Sequence, residues 1–266
     1  LFRNLEKVDL IIEVRDARIP LATSHPHLER WTKGKKHLLV INRQDMISKA
    51  ARQSWDAWFR KKGDTPWWCN AKAGTGVKQI HSAAIASGKE LNQRRRSRGM
   101  CNRPVRALTL GFPNVGKSAL INRLVQKKVV GSARRAGVTR SLRWVRLGQD
   151  LDLLDAPGVL PPRLDNQDAA LLLAICDDIG QAAYEVEYVA VELLKLLVSK
   201  KKIFGFSEDI LRTRYAVDHS KESQDEYQWL VAASKMHTSG DVNRMAQRIL
   251  DDFRKSELGY IALEIP

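Results

Sequence analysis

Residues 108–120, LTLGFPNVGKSAL, constrain the fold of this chain more strongly than any other segment. Their middle, GFPNVGKS at 111–118, fits the pattern G-x-x-x-x-G-K-[ST] between a short apolar run at 105–110 and apolar residues at helical spacing. In such a strand–loop–helix unit, backbone N–H groups and the start of the helix surround a phosphate chain. The sequence therefore predicts an α/β domain that binds a nucleotide.

The residues of this loop have predicted roles in phosphate and metal binding. Gly111 and Gly116 let the backbone wrap closely around the anion. Lys117 reaches the β and γ phosphates, and the Ser118 hydroxyl ligates Mg²⁺. We predict that the phosphate site is lined by Asn114, Val115, Gly116, Lys117, Ser118 and Ala119.

The charge of the chain points to a partner of opposite sign. The formal net charge is +15, and this excess indicates a polyanion, of which nucleic acid is the first candidate. A basic soluble enzyme without such a partner is the alternative. The three cysteines are scattered, which favours a reducing compartment and offers no metal-binding spacing. No apolar run approaches the length of a membrane span, so we expect no membrane partner.

Two apolar runs upstream, 8–14 and 37–41, predict buried parallel strands that end in polar loops. The second is followed by NRQD at 42–45, which resembles the guanine-recognition motif N-K-x-D of GTPases. In that motif the carboxylate, here Asp45, accepts from guanine N1–H and the exocyclic amine, and Asn42 contacts the base edge and braces the phosphate loop. Arg43 replaces the lysine, and its guanidinium plane can stack on the purine. A helix N-cap is the alternative reading of the tetrapeptide.

A predicted third strand at 66–69 leads into Asn70, Ala71 and Lys72. This triplet resembles the fifth GTPase motif, [ST]-A-[KL], whose backbone N–H meets guanine O6. Asn70 departs from the usual Ser or Thr.

Strands predicted at 142–147 and 151–154 precede DAPG at 155–158, which resembles the third GTPase motif. By that resemblance Asp155 holds Mg²⁺ through water and the Gly158 N–H senses the γ-phosphate. Thr139 stands where GTPases place the switch threonine that ligates Mg²⁺. Val159 occupies the position of the catalytic glutamine of Ras-like enzymes.

Other segments define the domain organisation. A helix is predicted at 49–62, and residues 88–103 are read as the end of a helix followed by a basic linker. The arginines of that linker are candidate contacts to RNA phosphates, with a solvated linker as the alternative: Arg94, Arg95, Arg96 and Arg98. Helical spacing at 169–175, 186–198 and 242–253 predicts a helical unit. The predicted domains are therefore 1–164 and 165–266, the second a candidate RNA or ribosome contact. We interpret His25, His27 and His37 as surface or helix-terminal residues.

The order of the motifs distinguishes this chain from ordinary GTPases, because the two base-recognition segments precede the phosphate loop. Together with the DAR triplet at 16–18, GVT at 137–139, LLDAPG at 153–158 and a closing segment at 253–260, this order resembles the circularly permuted DAR-type GTPases that assemble the large ribosomal subunit. The phrase LLLAICDDIG at 171–180 and Arg43 are most similar to the chloroplast and cyanobacterial branch. The resemblance implies a permuted P-loop GTPase domain with a mostly parallel six-stranded sheet flanked by helices, and a C-terminal all-helical domain.

The resemblance also implies ligands and partners. They are GTP or GDP, Mg²⁺, a K⁺ ion held by Asn114, and a large-subunit precursor with its rRNA. Since Val159 cannot orient water, we expect slow intrinsic hydrolysis that another group completes, and we name no catalytic residue. A monomer in the chloroplast stroma is expected, with a bacterial cytoplasm as the alternative location.

Two other functions remain compatible with the sequence. The absence of the glutamine permits a non-hydrolysing RNA-binding scaffold that uses GTP as a structural ligand. A P-loop ATPase of metabolism would fit if the NRQD segment does not recognise guanine.

Overall fold

The computed structural model describes residues 5–125, 143–156, 158, 166–199, 206–207, 209–217 and 225–266. Within them one sheet contains β1 (Leu10–Asp16), β2 (Lys36–Asn42), β3 (Pro66–Trp68), β4 (Val105–Leu110), β5 (Arg143–Leu147) and β6 (Leu151–Asp155). The strand order is β3-β2-β1-β4-β6-β5, and every pairing is parallel except that of β5 with β6. The predicted mostly parallel six-stranded sheet is confirmed.

The described helices fall before and after residue 166. The first group is α1 (Leu28–Thr32), α2 (Lys49–Lys61), α3 (Val77–Ser87), α4 (Lys89–Arg96) and α5 (Lys117–Val125). The second group is α6 (Gln167–Ile175), α7 (Val186–Val198), α8 (Asp209–Tyr215), α9 (Glu226–His237) and α10 (Val242–Arg254). Helix α4 lies in the segment 88–103, which was predicted as the end of a helix followed by a linker; the helical part extends to Arg96 and includes arginines that were assigned to the linker. In the part of the chain that the structure describes, no helix has the length and apolarity needed to cross a bilayer.

The chain divides into two compact units. The first consists of Leu1–Asp16, Thr23–Gln44 and Asp56–Arg163, and the second of Ala17–Ala22, Asp45–Trp55 and Leu164–Pro266. The second unit thus takes in two short segments from the first half of the sequence, in addition to the region predicted as a helical domain. The assignment of functional domains to 1–164 and 165–266 stays a prediction.

Strand β1 is the buried centre of the first unit, because β2 and β4 pair with its two edges and all seven of its residues are buried. Its alternate residues Glu13 and Arg15 form a buried ion pair, with Nε 2.6 Å from Oε1. The other carboxylate oxygen lies 3.1 Å from Nε2 of His37. Burial alone would raise the pKa of Glu13, but the hydrogen bond with His37 and the Arg15 charge hold it below its ordinary value. Paired charges therefore make an acidic residue tolerable in the middle of this sheet.

In the second unit, two buried arginines complete the carboxyl end of α6. Arg254 donates to the carbonyls of Ala174 and Ile175, and Arg18 donates to the carbonyl of Cys176. Carbonyls in the last turn of a helix have no partner within the helix, so these contacts supply the missing donors and place positive charge where the helix dipole favours it.

A second polar cluster in this unit surrounds the Asp252 carboxylate of α10. Arg214 donates to both oxygens, at 2.8 and 2.7 Å, and the Tyr215 hydroxyl donates at 2.7 Å. Burial would raise the pKa of Asp252, but these donors hold it below its ordinary value. The carboxylate therefore stabilises the fold at pH values above its unfolded pKa, and loses this contribution as the pH falls through its lower folded pKa.

Tyr215→Phe tests this cluster. The substitution removes one hydrogen bond to a charged, buried acceptor while Arg214 remains, so we expect the free energy of unfolding to fall by about 1.5 kcal/mol. Urea denaturation at neutral pH measures it. Tyr227→Phe on the exposed face of α9 is the matched control and should change stability by less than about 0.5 kcal/mol. Equal effects of the two variants would contradict the assigned contact.

Candidate nucleotide-binding site

The phosphate-binding loop joins the end of β4 at Leu110 to the start of α5 at Lys117, as its sequence predicts. Two glycines are required by its path. Gly111 has φ 152°, and a Cβ there would lie 2.4 Å from the Val14 carbonyl oxygen. Gly116 has φ 98°, and a Cβ there would lie 2.2 Å from Nδ2 of Asn42. Any larger residue at either position would clash with a strand end, so the spacing of the motif follows from close packing.

Lys117 lies buried within this loop rather than extending into solvent. Its ammonium donates to the carbonyls of Gly111 at 3.0 Å and Phe112 at 2.6 Å. A buried ammonium that is held by neutral carbonyls keeps its charge available to an anion, which is the property that binding of phosphate requires.

Asn42, at the end of β2, connects the two loops expected to contact opposite ends of a nucleotide. Its Nδ2 donates to the Val115 carbonyl at 2.8 Å, and its Oδ1 accepts from the Ala71 N–H at 2.9 Å. The predicted bracing contact to the phosphate loop is therefore present. Its side chain is almost completely buried, so both polar groups of the amide depend on these partners.

Arg43 has a more specific geometry than the sequence analysis anticipated. Its backbone is left-handed, with φ 62°, and its two terminal amino groups donate to Asp16 Oδ2 at 2.6 Å and to the Asn114 carbonyl at 2.5 Å. The motif residue predicted to meet guanine, Asp45, follows in a one-turn 3-10 helix (Gln44–Met46), and its side chain is exposed. Stacking of Arg43 on a purine stays a prediction.

The loop after β3 is held by its own backbone and by an arginine that the sequence analysis missed. Asn70 Oδ1 accepts from the Ala73 N–H at 2.8 Å, which stabilises the turn. Arg123, from the last turn of α5, donates to the carbonyls of Ala71 and Lys72. Since α5 begins in the phosphate loop, this contact connects the two loops a second time. An arginine on a helix gives no signal of such a contact in sequence.

Asp155, at the end of β6, is the least satisfied group of the site. It is fully buried, and within the described residues neither carboxylate oxygen has a hydrogen-bond partner. Burial raises its pKa, and the positive charge of Lys117 opposes that effect only in part. An unpaired buried carboxylate beside a phosphate loop has the donor type and the unmet charge that fit Mg²⁺, although the described residues contain no preformed cluster of three His, Cys, Asp or Glu ligands.

The third motif approaches the phosphate loop through Gly158. A Cβ on Gly158 would lie 2.7 Å from both the Cα and the N of Pro113. The glycine therefore allows the two backbones to come close together, which is what a γ-phosphate sensor needs. Ser118 and Ala119 lie in the first turn of α5. Thr139 and Val159 lie outside the described residues.

The structure corrects the predicted surroundings of two further sets of residues. The arginines Arg94, Arg95 and Arg96 lie on helix α4 and not in a linker, and none of the residues of this helix is buried. Arg98 lies in the turn that follows and is exposed. His25, interpreted as a surface or helix-terminal residue, is buried: its ring stacks on Trp31 with centroids 4.2 Å apart and lies 6.2 Å from Phe112. Burial, together with the nearby His27 ring, lowers the pKa of His25.

Comparisons with known sequences and structures agree on one family. A family model described as 50S ribosome-binding GTPase matches residues 106–213. Ribosome biogenesis GTPase A of Bacillus cereus is 32% identical over 99% of this chain and 88% of its own length. That of Bacillus pumilus is 30% identical over 99% of this chain and 93% of its own length. The GDP-bound structure of YlqF from Thermotoga maritima superposes with a TM-score of 0.64 at 22% identity, covering all of this chain and 98% of the other, which shows a shared fold.

Asp155→Asn separates stability from ligand binding. Because the folded pKa of Asp155 is raised above 3.8, the ligand-free protein gains stability as the pH falls through that folded pKa, and the asparagine should remove this dependence. In EDTA at pH 7 we expect the variant to unfold at a higher temperature than the parent, by an amount corresponding to about 1 kcal/mol. Adding Mg²⁺ and GDP should raise the unfolding temperature of the parent further, and this rise should be lost in the variant.

Asp152→Asn is the matched control for that experiment, since Asp152 lies on the same strand, half-buried near Arg146. It should keep the full Mg²⁺- and GDP-dependent increase. An Asp155→Asn protein that retained the increase would show that this carboxylate is not part of the metal site.

Proposed function

The chain belongs to the ribosome biogenesis GTPase A family, and from this membership we propose that it binds GTP with Mg²⁺ at the site described above and hydrolyses it during assembly of the large ribosomal subunit. The observation that carries the proposal is the side chain of Asn42, which joins the phosphate loop at Val115 to the loop of Ala71. This contact supports a single site in which the phosphate loop and the loop of Ala71 act together, in spite of their permuted order along the chain.

Each part of the site has a chemical role in this proposal. Lys117 and the backbone N–H groups of the phosphate loop bind the phosphates, except that of Val115, which donates to the Pro113 carbonyl. The loop of residues 70–72 meets the guanine O6. Asp45 discriminates guanine from adenine, because guanine N1–H and the exocyclic amine are both donors. Ser118 and Asp155 would hold Mg²⁺, together with Thr139, and this ion supplies charge neutralisation of the phosphates.

Hydrolysis is proposed to be slow in the isolated protein and dependent on K⁺ and on the ribosomal subunit. A valine at position 159 has no group that can orient a water molecule. The K⁺ proposal places the ion at Asn114, whose backbone is left-handed with φ 58°, and a monovalent cation there would neutralise charge in the transition state.

Contact with rRNA is proposed for the arginines of α4, of which Arg94 and Arg96 are exposed and Arg95 is half-buried, and for the exposed Arg98 in the turn after it. Helix α4 contains no buried residue, and its last turn is entirely basic. Sequence-independent binding to phosphates requires this kind of exposed positive charge. The helical second unit remains the other candidate contact.

The proposal also includes an oligomeric state and a cellular location. A monomer is expected. The chloroplast stroma is the predicted location and a bacterial cytoplasm is the alternative.

GTP turnover measured in KCl and in NaCl, each with and without large ribosomal subunits, tests the function. We expect low turnover without subunits and stimulation by subunits of about a hundredfold or more, larger in K⁺ than in Na⁺. Asn114→Ala should remove the difference between the two salts. Near-zero turnover in all four conditions, with GTP still bound, would instead support the non-hydrolysing scaffold.

Base recognition is tested by Asp45→Asn. The amide cannot accept both guanine donors, so GTP affinity should fall by about a hundredfold while ATP affinity is unchanged. Competition binding with GTP, ATP and XTP measures it, and Asp64→Asn, at the exposed Asp64 after α2, serves as control. An unchanged preference for GTP over ATP would remove the guanine assignment and leave the P-loop ATPase as the better reading.

A further inference from the structure

A buried carboxylate at the start of the DAR triplet, a motif to which no role has been assigned so far, contacts the proposed nucleotide site. Asp16 is the last residue of β1, and its side chain is fully buried. In the sheet register it lies opposite Asn42, and its N–H donates to the Thr23 hydroxyl at 3.1 Å. Neighbouring strands on its two sides, β2 and β4, carry the guanine-recognition segment and the phosphate loop.

The Asp16 carboxylate is joined to the phosphate loop through Arg43. One amino group of the guanidinium lies 2.6 Å from Asp16 Oδ2, and the other lies 2.5 Å from the Asn114 carbonyl oxygen. Because a guanidinium is planar, fixing one end of the fork also fixes the direction of the other. Asp16 therefore sets the direction from which Arg43 approaches the loop.

Two consecutive carbonyls of the loop are held from the end of β2. Arg43 holds the carbonyl of Asn114, and Asn42 holds that of Val115. A trans peptide is planar, so its N–H points opposite to its carbonyl. The Val115 N–H accordingly turns to the Pro113 carbonyl at 2.8 Å, and the Gly116 N–H is directed away from Asn42.

The backbone at both ends of the Arg43 contact is left-handed. Arg43 has φ 62°, which arginine rarely adopts, and Asn114 has φ 58°, which asparagine tolerates better than most residues with a Cβ. Such conformations persist only where surrounding contacts hold them. The contact from Asp16 to Arg43 to Asn114 is a contact of this kind, and it holds Arg43 in a conformation that arginine rarely adopts.

We propose that Asp16 is a positioning residue for nucleotide binding, which acts through Arg43 to keep the phosphate loop in its binding conformation. The proposal rests on the GTP site proposed above and extends it to the first residue of the DAR triplet, at the end of β1. The proposal predicts that substitution of Asp16 changes the affinity for all guanine nucleotides. The choice of base should stay the same, because that is the proposed role of Asp45.

The test measures release of fluorescently labelled GDP by stopped flow, with thermal unfolding of the same samples. For Asp16→Asn we expect release to become about ten- to a hundredfold faster, since a charge-assisted contact is lost, with the ratio of GDP to XDP affinity unchanged. Glu13→Gln is the matched control, because Glu13 is also a buried carboxylate on β1 paired with an arginine but has its contacts with Arg15 and His37. It should lower the unfolding temperature and leave GDP release within about twofold of the parent.

A second pair of variants separates positioning from stability. Arg43→Gln leaves the buried Asp16 charge without this partner, so the protein should be less stable, and adding Asp16→Asn in the same protein should restore stability. GDP release should remain fast in the double variant and equal to that of Arg43→Gln alone. If Asp16 had only a structural role, the GDP release rate of each variant would change in step with its stability.

The outcomes separate this proposal from the one before it. Parent protein that fails to bind GDP would overturn the nucleotide site itself. Parent protein that binds GDP, with parent-like release from the folded double variant, would overturn the role of Asp16 alone. If Asp16→Asn alone does not fold, GDP release from the charge-neutral double variant still tests the role of Asp16.

Discussion

The nucleotide site depends on two hydrogen bonds that the Asn42 side chain makes with the backbones of two loops. Nδ2 reaches the phosphate loop and Oδ1 reaches the loop after β3, so a single amide fixes the distance between the regions proposed to bind phosphate and base. Amide groups suit this position because they carry a donor and an acceptor at a fixed separation. An aspartate would lose the donor, and a longer glutamine would move both contacts, so the strand end tolerates little change.

Buried charge is organised along β1 in a way that explains how an apolar strand can also serve the site. Glu13 and Arg15 neutralise each other within the sheet, whereas Asp16 at the strand end pairs with Arg43, the residue that directly follows β2. A buried pair often contributes little to net stability, since desolvation opposes the attraction. Its value here is geometric: each pair fixes the direction of a side chain. Asp155 is the contrast: among the described residues its carboxylate has no hydrogen-bond partner, burial raises its pKa, and its charge is left for a ligand to satisfy.

Much of the fold follows from the sequence because its strands are continuous apolar runs and its longer helices have regular apolar spacing. The runs that precede residues 42, 111 and 155 correspond to β2, β4 and β6. Helix α4 could not be found in this way, since it buries nothing; it forms from residues of high helix propensity, and apolar periodicity is absent. The motif spacings likewise placed Lys117, Asn42 and Asp155 correctly at strand and helix ends.

Contacts between distant residues account for the parts of the site that sequence reasoning missed. Arg43 meets Asp16 and Arg123 meets Ala71 only after the strands have paired, and a charged residue in a sequence does not reveal its partner. Burial of His25 is of the same kind, since it depends on Trp31 and on Phe112 in the phosphate loop. Backbone conformations such as φ 62° at Arg43 also have no signature in composition.

The strand order has a consequence for how the protein is made. In the finished sheet β1 lies between β2 and β4, but β4 comes much later in the chain. At a translation rate of about 5–20 residues per second, the roughly 60 residues between β2 and β4 need about 3–12 seconds to be synthesised. During that interval β1 can pair with β2 while the backbone N–H and C=O groups along its other edge have no strand to pair with, and its largely apolar side chains remain uncovered. A permuted order thus exposes a sheet edge to chaperones and to neighbouring nascent chains at a stage when an ordinary GTPase would already have made its phosphate-loop strand.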